Sequence, residues 1–248
     1  MWASPYQNRI ATGNVLFIIL VAIALFSALS FVVGGSLGGG GKSASSENAN
    51  LYAAEVLNYS SAIKSAVQML RISNGCSETD ISFENDEVSG YEHSPVARDE
   101  CKVFHSSGGR VPYKVPPEDW LDTEQSANTG YQELYFPNST CVVRVGTHSS
   151  SCWDDGGSPY VEMLLVIPYL KRDVCQEINR SLGFESIPQE WNNAFSYNSY
   201  KFKGVFGDQY MLDGDGSPLN DSSLQGCFEG NTSPLSGTYH YFHVLIAR

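Results

Sequence analysis

The chain has 248 residues, with 27 acidic against 15 basic side chains and a formal charge of −12. So acidic a balance argues against nucleic acid or an anionic lipid surface as partners, and is compatible with cation binding or with solubility alone. Roughly 200 residues follow the N-terminal apolar run, enough for one domain with a real core.

Taken in chain order, residues 15–33 read VLFIILVAIALFSALSFVV, without a charge and with two serines. At ~1.5 Å per residue this run covers the hydrocarbon core of a bilayer, and in lipid its backbone must be helical. Arg9 precedes it and no acid appears before Glu47. That bias expects a cytoplasmic N-terminus and an exported remainder. A secretory signal peptide is the competing reading, but the run is longer than the usual apolar core and no Ala-x-Ala site follows. Residues 34–46, GGSLGGGGKSASS, read as a flexible joint.

Tyr52, Val56, Tyr59, Ile63, Ala66 and Leu70 step by three and four, so residues 47–73 are expected to form an amphipathic helix stopped by Asn74-Gly75. Residues 77–130 are loop-rich, with a short proline-opened helix expected at 116–121. Strands are expected at 131–136, 140–147, 161–169 and 239–247, and a helix at 171–182 ended by Gly183. The last strand is apolar on both faces, which expects a central or doubly covered position. The fold class is therefore α+β, a helix packed on a mostly antiparallel sheet.

All six cysteines follow the apolar run: Cys76, Cys101, Cys141, Cys152, Cys175 and Cys227. None forms a C-x-x-C pair, and an even count in an exported domain suggests three disulfides. Fifteen or so connectivities are open to six cysteines; sequential pairing, Cys76–Cys101, Cys141–Cys152 and Cys175–Cys227, is the simplest because short loops close most often.

The segment Thr12-Gly13-Asn14-Val15-Leu16-Phe17, with the apolar run, amphipathic helix and cysteine-bearing sheet after it, resembles the bacterial type IV pilin and pseudopilin group. Ile18 stands at the fifth mature position, where that family usually has glutamate. The resemblance implies a cytoplasmic leader over residues 1–13, cleavage between Gly13 and Asn14 by a prepilin peptidase, and a single-pass helix in the inner membrane over 14–33. A linker over 34–46 and an extracytoplasmic domain over 47–248 would follow. It further implies a non-enzymatic subunit that self-assembles or joins other pilin-like subunits in a surface or secretion filament. The alternative is a membrane-tethered binding module, an adhesin or glycan-binding domain.

Other chemistry is weakly signalled. Asp213, Asp215, Asn220 and Asp221 could offer hard oxygens to Ca²⁺, although Leu224 stands where an EF-hand has its bidentate glutamate; a solvated Asp/Gly turn is the plainer reading, and no cofactor is expected. Trp120 and Trp191 sit in similar Pro-x-acid-Trp phrases, which could stack sugars or simply anchor surface turns. His240 and His243, three apart in a strand, fall on opposite faces and are not expected to share a metal. No nucleophile elbow or phosphate loop is present, so no enzymatic activity is expected.

Overall fold

The computed structural model describes Ile19, Ile23 and residues 40–146, 161–191, 200–207, 210–214, 218–219 and 222–248. They form a mixed α and β structure in two compact units, Met1–Glu47 and Asn48–Arg248. In the first unit Ile19 and Ile23 are helical and exposed, and residues 40–47 belong to helix α1. Among the described residues no helix is long and apolar enough to cross a membrane. The apolar run at 15–33 falls outside them apart from Ile19 and Ile23.

Helix α1 spans Gly40–Ser73, 34 residues. The expected joint is thus helical from Gly40 onward. Once an amphipathic segment has nucleated, each further residue adds a backbone hydrogen bond, and this offsets the ~1 kcal/mol that a glycine costs a helix. Residues 34–39 lie outside the described residues. In the second unit α1 buries Ala53, Val56, Ile63, Ala66, Val67 and Leu70, while Tyr52 and Tyr59 pack half-buried beside them. The helix ends as its sequence expects. Gly75 takes φ +63°, the left-handed region that favours glycine, and the Cys76 amide turns back to donate to the Leu70 carbonyl at 3.1 Å.

The main sheet has three antiparallel strands in the order β2–β5–β4: β2 Met163–Leu170, β4 Gln225–Glu229 and β5 Tyr239–Ile246. As expected, β5 is central. β1, Thr140–Val142, pairs in parallel with β3, Tyr210–Leu212, as a separate two-stranded sheet. Helix α2, Arg172–Ser181, follows β2 and ends near Gly183 at φ +89°. Side chains alternate across β2. Met163, Leu165 and Ile167 join the core that contains α1, and Leu164 and Val166 join a second core with Val142, Leu212, Leu219, Phe228, Phe242 and Val244. Ile246 departs from the expected alternation and joins the first core. A register irregularity between Met163 and Leu164 separates the pairs Met163↔Ile246 and Leu164↔Val244, and such an irregularity re-aims the side chains at that end.

Other expectations fail locally. Residues 131–136 make only one isolated bridge, Tyr135↔Val166, because Gln132 adopts φ +62° and breaks the extended run. The expected helix at 116–121 is a turn, and a short 3₁₀ segment follows at Thr123–Gln125. The expected strand at 140–147 stops at Val142, and its partner β3 is parallel.

Candidate functional site

The strongest local construction is the seam that holds α1 to the sheet. Among the described residues Ser60 is the one hydroxyl in the buried stripe of α1, and its Oγ lies 2.7 Å from the Tyr241 hydroxyl on β5. Tyr241 donates to Gln225 Oε1 on β4 at 2.9 Å and lies 3.4 Å from His243 Nδ1. Four polar groups from a helix and two strands therefore satisfy one another inside an apolar core. Such a network fixes which residues face each other. A second tie is made by Trp120, fully buried, whose Nε1 donates to Glu55 Oε2 on α1 at 2.8 Å while Lys114 Nζ lies 4.4 Å from the ring centroid. A third is Arg180 on α2, whose guanidinium reaches the Asn50 side chain at 3.4 Å.

Burial sets the chemistry of the ionisable groups in these cores. It pushes His243 down to about 4, aided by the Lys64 charge, and His240 down to about 3. His240 Nε2 meets Thr238 Oγ1 at 2.7 Å and its ring stacks on Phe228, so the two histidines serve different cores. Among the described residues no group of three His, Cys, Asp or Glu could hold a metal. Glu162, just before β2, accepts the Val142 amide at 2.7 Å, and burial raises its carboxyl to about 8.

The cysteines divide into two kinds. Cys76 and Cys101 form a disulfide, with Cα atoms 5.8 Å apart, at the end of α1. Asn74 supports it by donating to the Glu100 carbonyl at 2.7 Å. Cys141 is also disulfide-bonded, while Cys152 lies outside the described residues. The expected Cys175–Cys227 bridge is not present: both are buried thiols. They meet because Asn179, one turn after Cys175, clasps the Cys227 backbone, accepting its amide at 2.7 Å and donating to its carbonyl at 3.0 Å. Burial first, then the hydrogen bond with Cys175, raises the Cys227 thiol well above its ordinary value. The thiolate that oxidation needs is thereby disfavoured.

The remaining expected site residues are scattered. Trp191 is 56% exposed, in contrast to Trp120, which offers no free face for stacking a sugar. The Trp191 amide donates to the Asp213 carbonyl at 2.8 Å, and the Asp213 carboxylate accepts the Gly214 amide at 2.8 Å. Asp213 therefore serves its own turn. Asp215, Asn220, Asp221, Gly13 and Asn14 lie outside the described residues. The Ser60–Tyr241–Gln225–His243 network escapes sequence reading because Gln225 and Ser60 belong to no motif. The serine inside the apolar stripe of α1 was the one available signal.

No family model, curated protein or solved structure matches the chain.

Proposed function

We propose that the chain is a non-enzymatic, pilin-like or pseudopilin-like subunit, anchored in the inner membrane through residues 14–33 with its disulfide-bearing domain outside the cytoplasm. The observation that supports this most is the length and fixation of α1. Of its 34 residues, those in the second unit bury one stripe that is tied by hydrogen bonds to the sheet. A structural subunit must pass force between its anchoring or assembling helix and its exposed domain, and a helix fixed in a core does this where a loose tether would not. The Cys76–Cys101 bridge fits an oxidising compartment. The acidic composition fits self-assembly or other protein partners better than nucleic acid.

Fractionation of the native host tests the proposal. The full chain is expected in membranes and in the material sheared from the cell surface. Gly13→Val is expected to block removal of the leader and to keep the chain in the membrane. Recovery of the wild-type chain in the soluble cytoplasmic fraction with its cysteines reduced would defeat the reading.

A second reading, a tethered module that binds glycans or a protein, is favoured by the exposure of Trp191. Loss of cell or glycan adhesion in Trp191→Ala, with membrane and sheared fractions unchanged, would select it.

A further inference from the structure

Away from the α1 seam, two loop segments enclose a cleft of about 360 Å³. That volume lies at the small end of the ordinary range for ligand pockets, ~300–1,000 Å³. One segment lies within the loop closed by the Cys76–Cys101 bridge and contributes Asp80, His93, Val96 and Arg98; the other contributes Lys203 and Val205. In a chain of formal charge −12, this cleft collects two permanent cations and one acid.

That acid is already engaged. The Ser77 amide donates to Asp80 Oδ2 at 2.9 Å, and the hydrogen bonds from Ser77 hold the Asp80 carboxyl below its usual range. Among the described residues the Arg98 guanidinium hydrogen-bonds to the soft Cys101 sulfur, at 3.2 Å, and its charge also helps to hold the Asp80 carboxyl low, which leaves most of its five donors available. The remaining wall mixes polar Thr79 and Ser94 with apolar Pro95, Val96, Ala97 and Val205, of which Val96 and Val205 are 73% and 66% exposed.

His93 shows that the cleft is built rather than incidental. It is 8% exposed, its ring stands edge-on to Phe202 with centroids 5.9 Å apart, and its Nε2 is buried without a hydrogen-bond partner among the described residues. A buried polar atom left unmatched is costly, and in native structures it commonly marks a site for a ligand, ion or water. The opposite segment approaches so closely that only glycine fits. Gly204 has φ +82°, and a Cβ there would lie 2.8 Å from the Thr79 carbonyl oxygen and 2.9 Å from His93 Nδ1. Burial holds the His93 imidazole below its ordinary value, against the pull of Glu84 and Asp80 and with the aid of Lys102; Glu84 is itself paired with Lys102 at 3.2 Å.

We infer that this cleft binds a small organic anion, a carboxylate or phosphate head held by Arg98 and Lys203 with a short apolar part against Val96 and Val205. Arginine supplies a planar fork matched to either head group, and lysine adds a point charge. The inference stands on the globular unit alone and does not depend on how the chain is anchored.

The test is an NMR titration of the full chain in detergent micelles, following the His93 ring carbon resonance, assigned by its loss in His93→Gln. The probes are butyrate, inorganic phosphate and neutral n-butanol, each at constant ionic strength. Butyrate is expected to shift the resonance saturably and butanol is not. Inorganic phosphate, which lacks an apolar part, is expected to bind more weakly than butyrate. Arg98→Gln with Lys203→Gln, both at exposed positions, is expected to keep the circular dichroism of the wild type and to weaken butyrate binding about tenfold or more. No saturable shift with either anion, or equal binding by the double variant, would overturn the inference. Phosphate binding as tightly as butyrate would overturn its apolar half.

Discussion

On the face of β5 turned toward α1, Tyr241 joins Ser60, Gln225 and His243 in a hydrogen-bonded cluster. On the opposite face Phe242 and Val244 meet Leu164, Val166, Phe228 and Leu219 in an apolar cluster that Glu162 borders through the Val142 amide. One strand thus carries two kinds of packing. Apolar packing supplies most of the free energy but tolerates alternative arrangements, whereas a polar network contributes less and admits one alignment. At its middle, β5 is thus packed by apolar side chains toward β1–β3 and aligned by the polar network toward α1, while Leu245 and Ile246 add apolar contacts to the α1 core.

The largest effect that could break this comparison is expected from Phe242→Ala. It should lower unfolding stability by about 4 kcal/mol, read from the denaturant midpoint at unchanged slope. A loss no greater than that of Tyr241→Phe would show that the apolar face is not the stabilising one.

Next in size is the response to pH, in which one buried carboxyl and two buried histidines oppose each other. Glu162 has a folded value near 8 against an ordinary 4.5, so the folded state holds its proton longer, and stability falls as pH rises from about 4.5 to 8. His243 and His240 have folded values near 4 and 3 against 6.5, so the unfolded state takes up protons first, and stability falls as pH drops from about 6.5 toward 3–4. Between 4.5 and 6.5 the two histidines outweigh the one carboxyl, so these groups place the stability maximum near pH 6.5. Glu162→Gln is expected to remove the alkaline decline, a relative gain of roughly 3 kcal/mol at pH 8.5 and little at pH 5. Thermal unfolding across pH measures this, and an unchanged alkaline slope in the variant would contradict it.

Tyr241→Phe is expected to cost about 1–2 kcal/mol, because it leaves the Ser60 and Gln225 side chains short of a partner. Ser60→Ala in the same chain should cost less than it does alone, since both changes act on one network. Additive losses would show that the hydroxyls do not act together. The smallest effect is expected at Trp191. Its replacement by alanine should alter stability by no more than about 0.5 kcal/mol, whereas Trp120→Ala should cost about 3 kcal/mol.

The two tryptophans illustrate what could be read from the residues alone. Similar Pro-x-acid-Trp phrases lead to opposite burial, because Glu55 on α1 waits for the Trp120 indole and no comparable acceptor meets Trp191 among the described residues. Such a partner, 65 positions away, leaves no local trace. Periodic signals fared better. The α1 stripe, the Gly75 and Gly183 stops and the two-faced β5 follow directly from spacing. β4 did not, because Gln225-Gly226-Cys227 lacks alternation; Gly226 is tightly enclosed, a Cβ there meeting the Pro218 ring. β3 is only three residues long. The glycines at 40–41 misled in the other direction, since local propensity gave way to helix propagation. The cysteine count correctly suggested bridges, but it could not reveal that Asn179 brings Cys175 and Cys227 together as thiols. The cationic cleft was likewise invisible, because Asp80, Arg98 and Lys203 are far apart in the chain.

The central claim, a processed and exported pilin-like subunit, is tested most directly by intact mass spectrometry of the protein from its native host, alkylated after unfolding without reduction. The account expects a mature chain beginning at Asn14 and alkylation at Cys175 and Cys227 alone. A mass that retains residues 1–13, with all six cysteines alkylated, would contradict both the processing and the compartment.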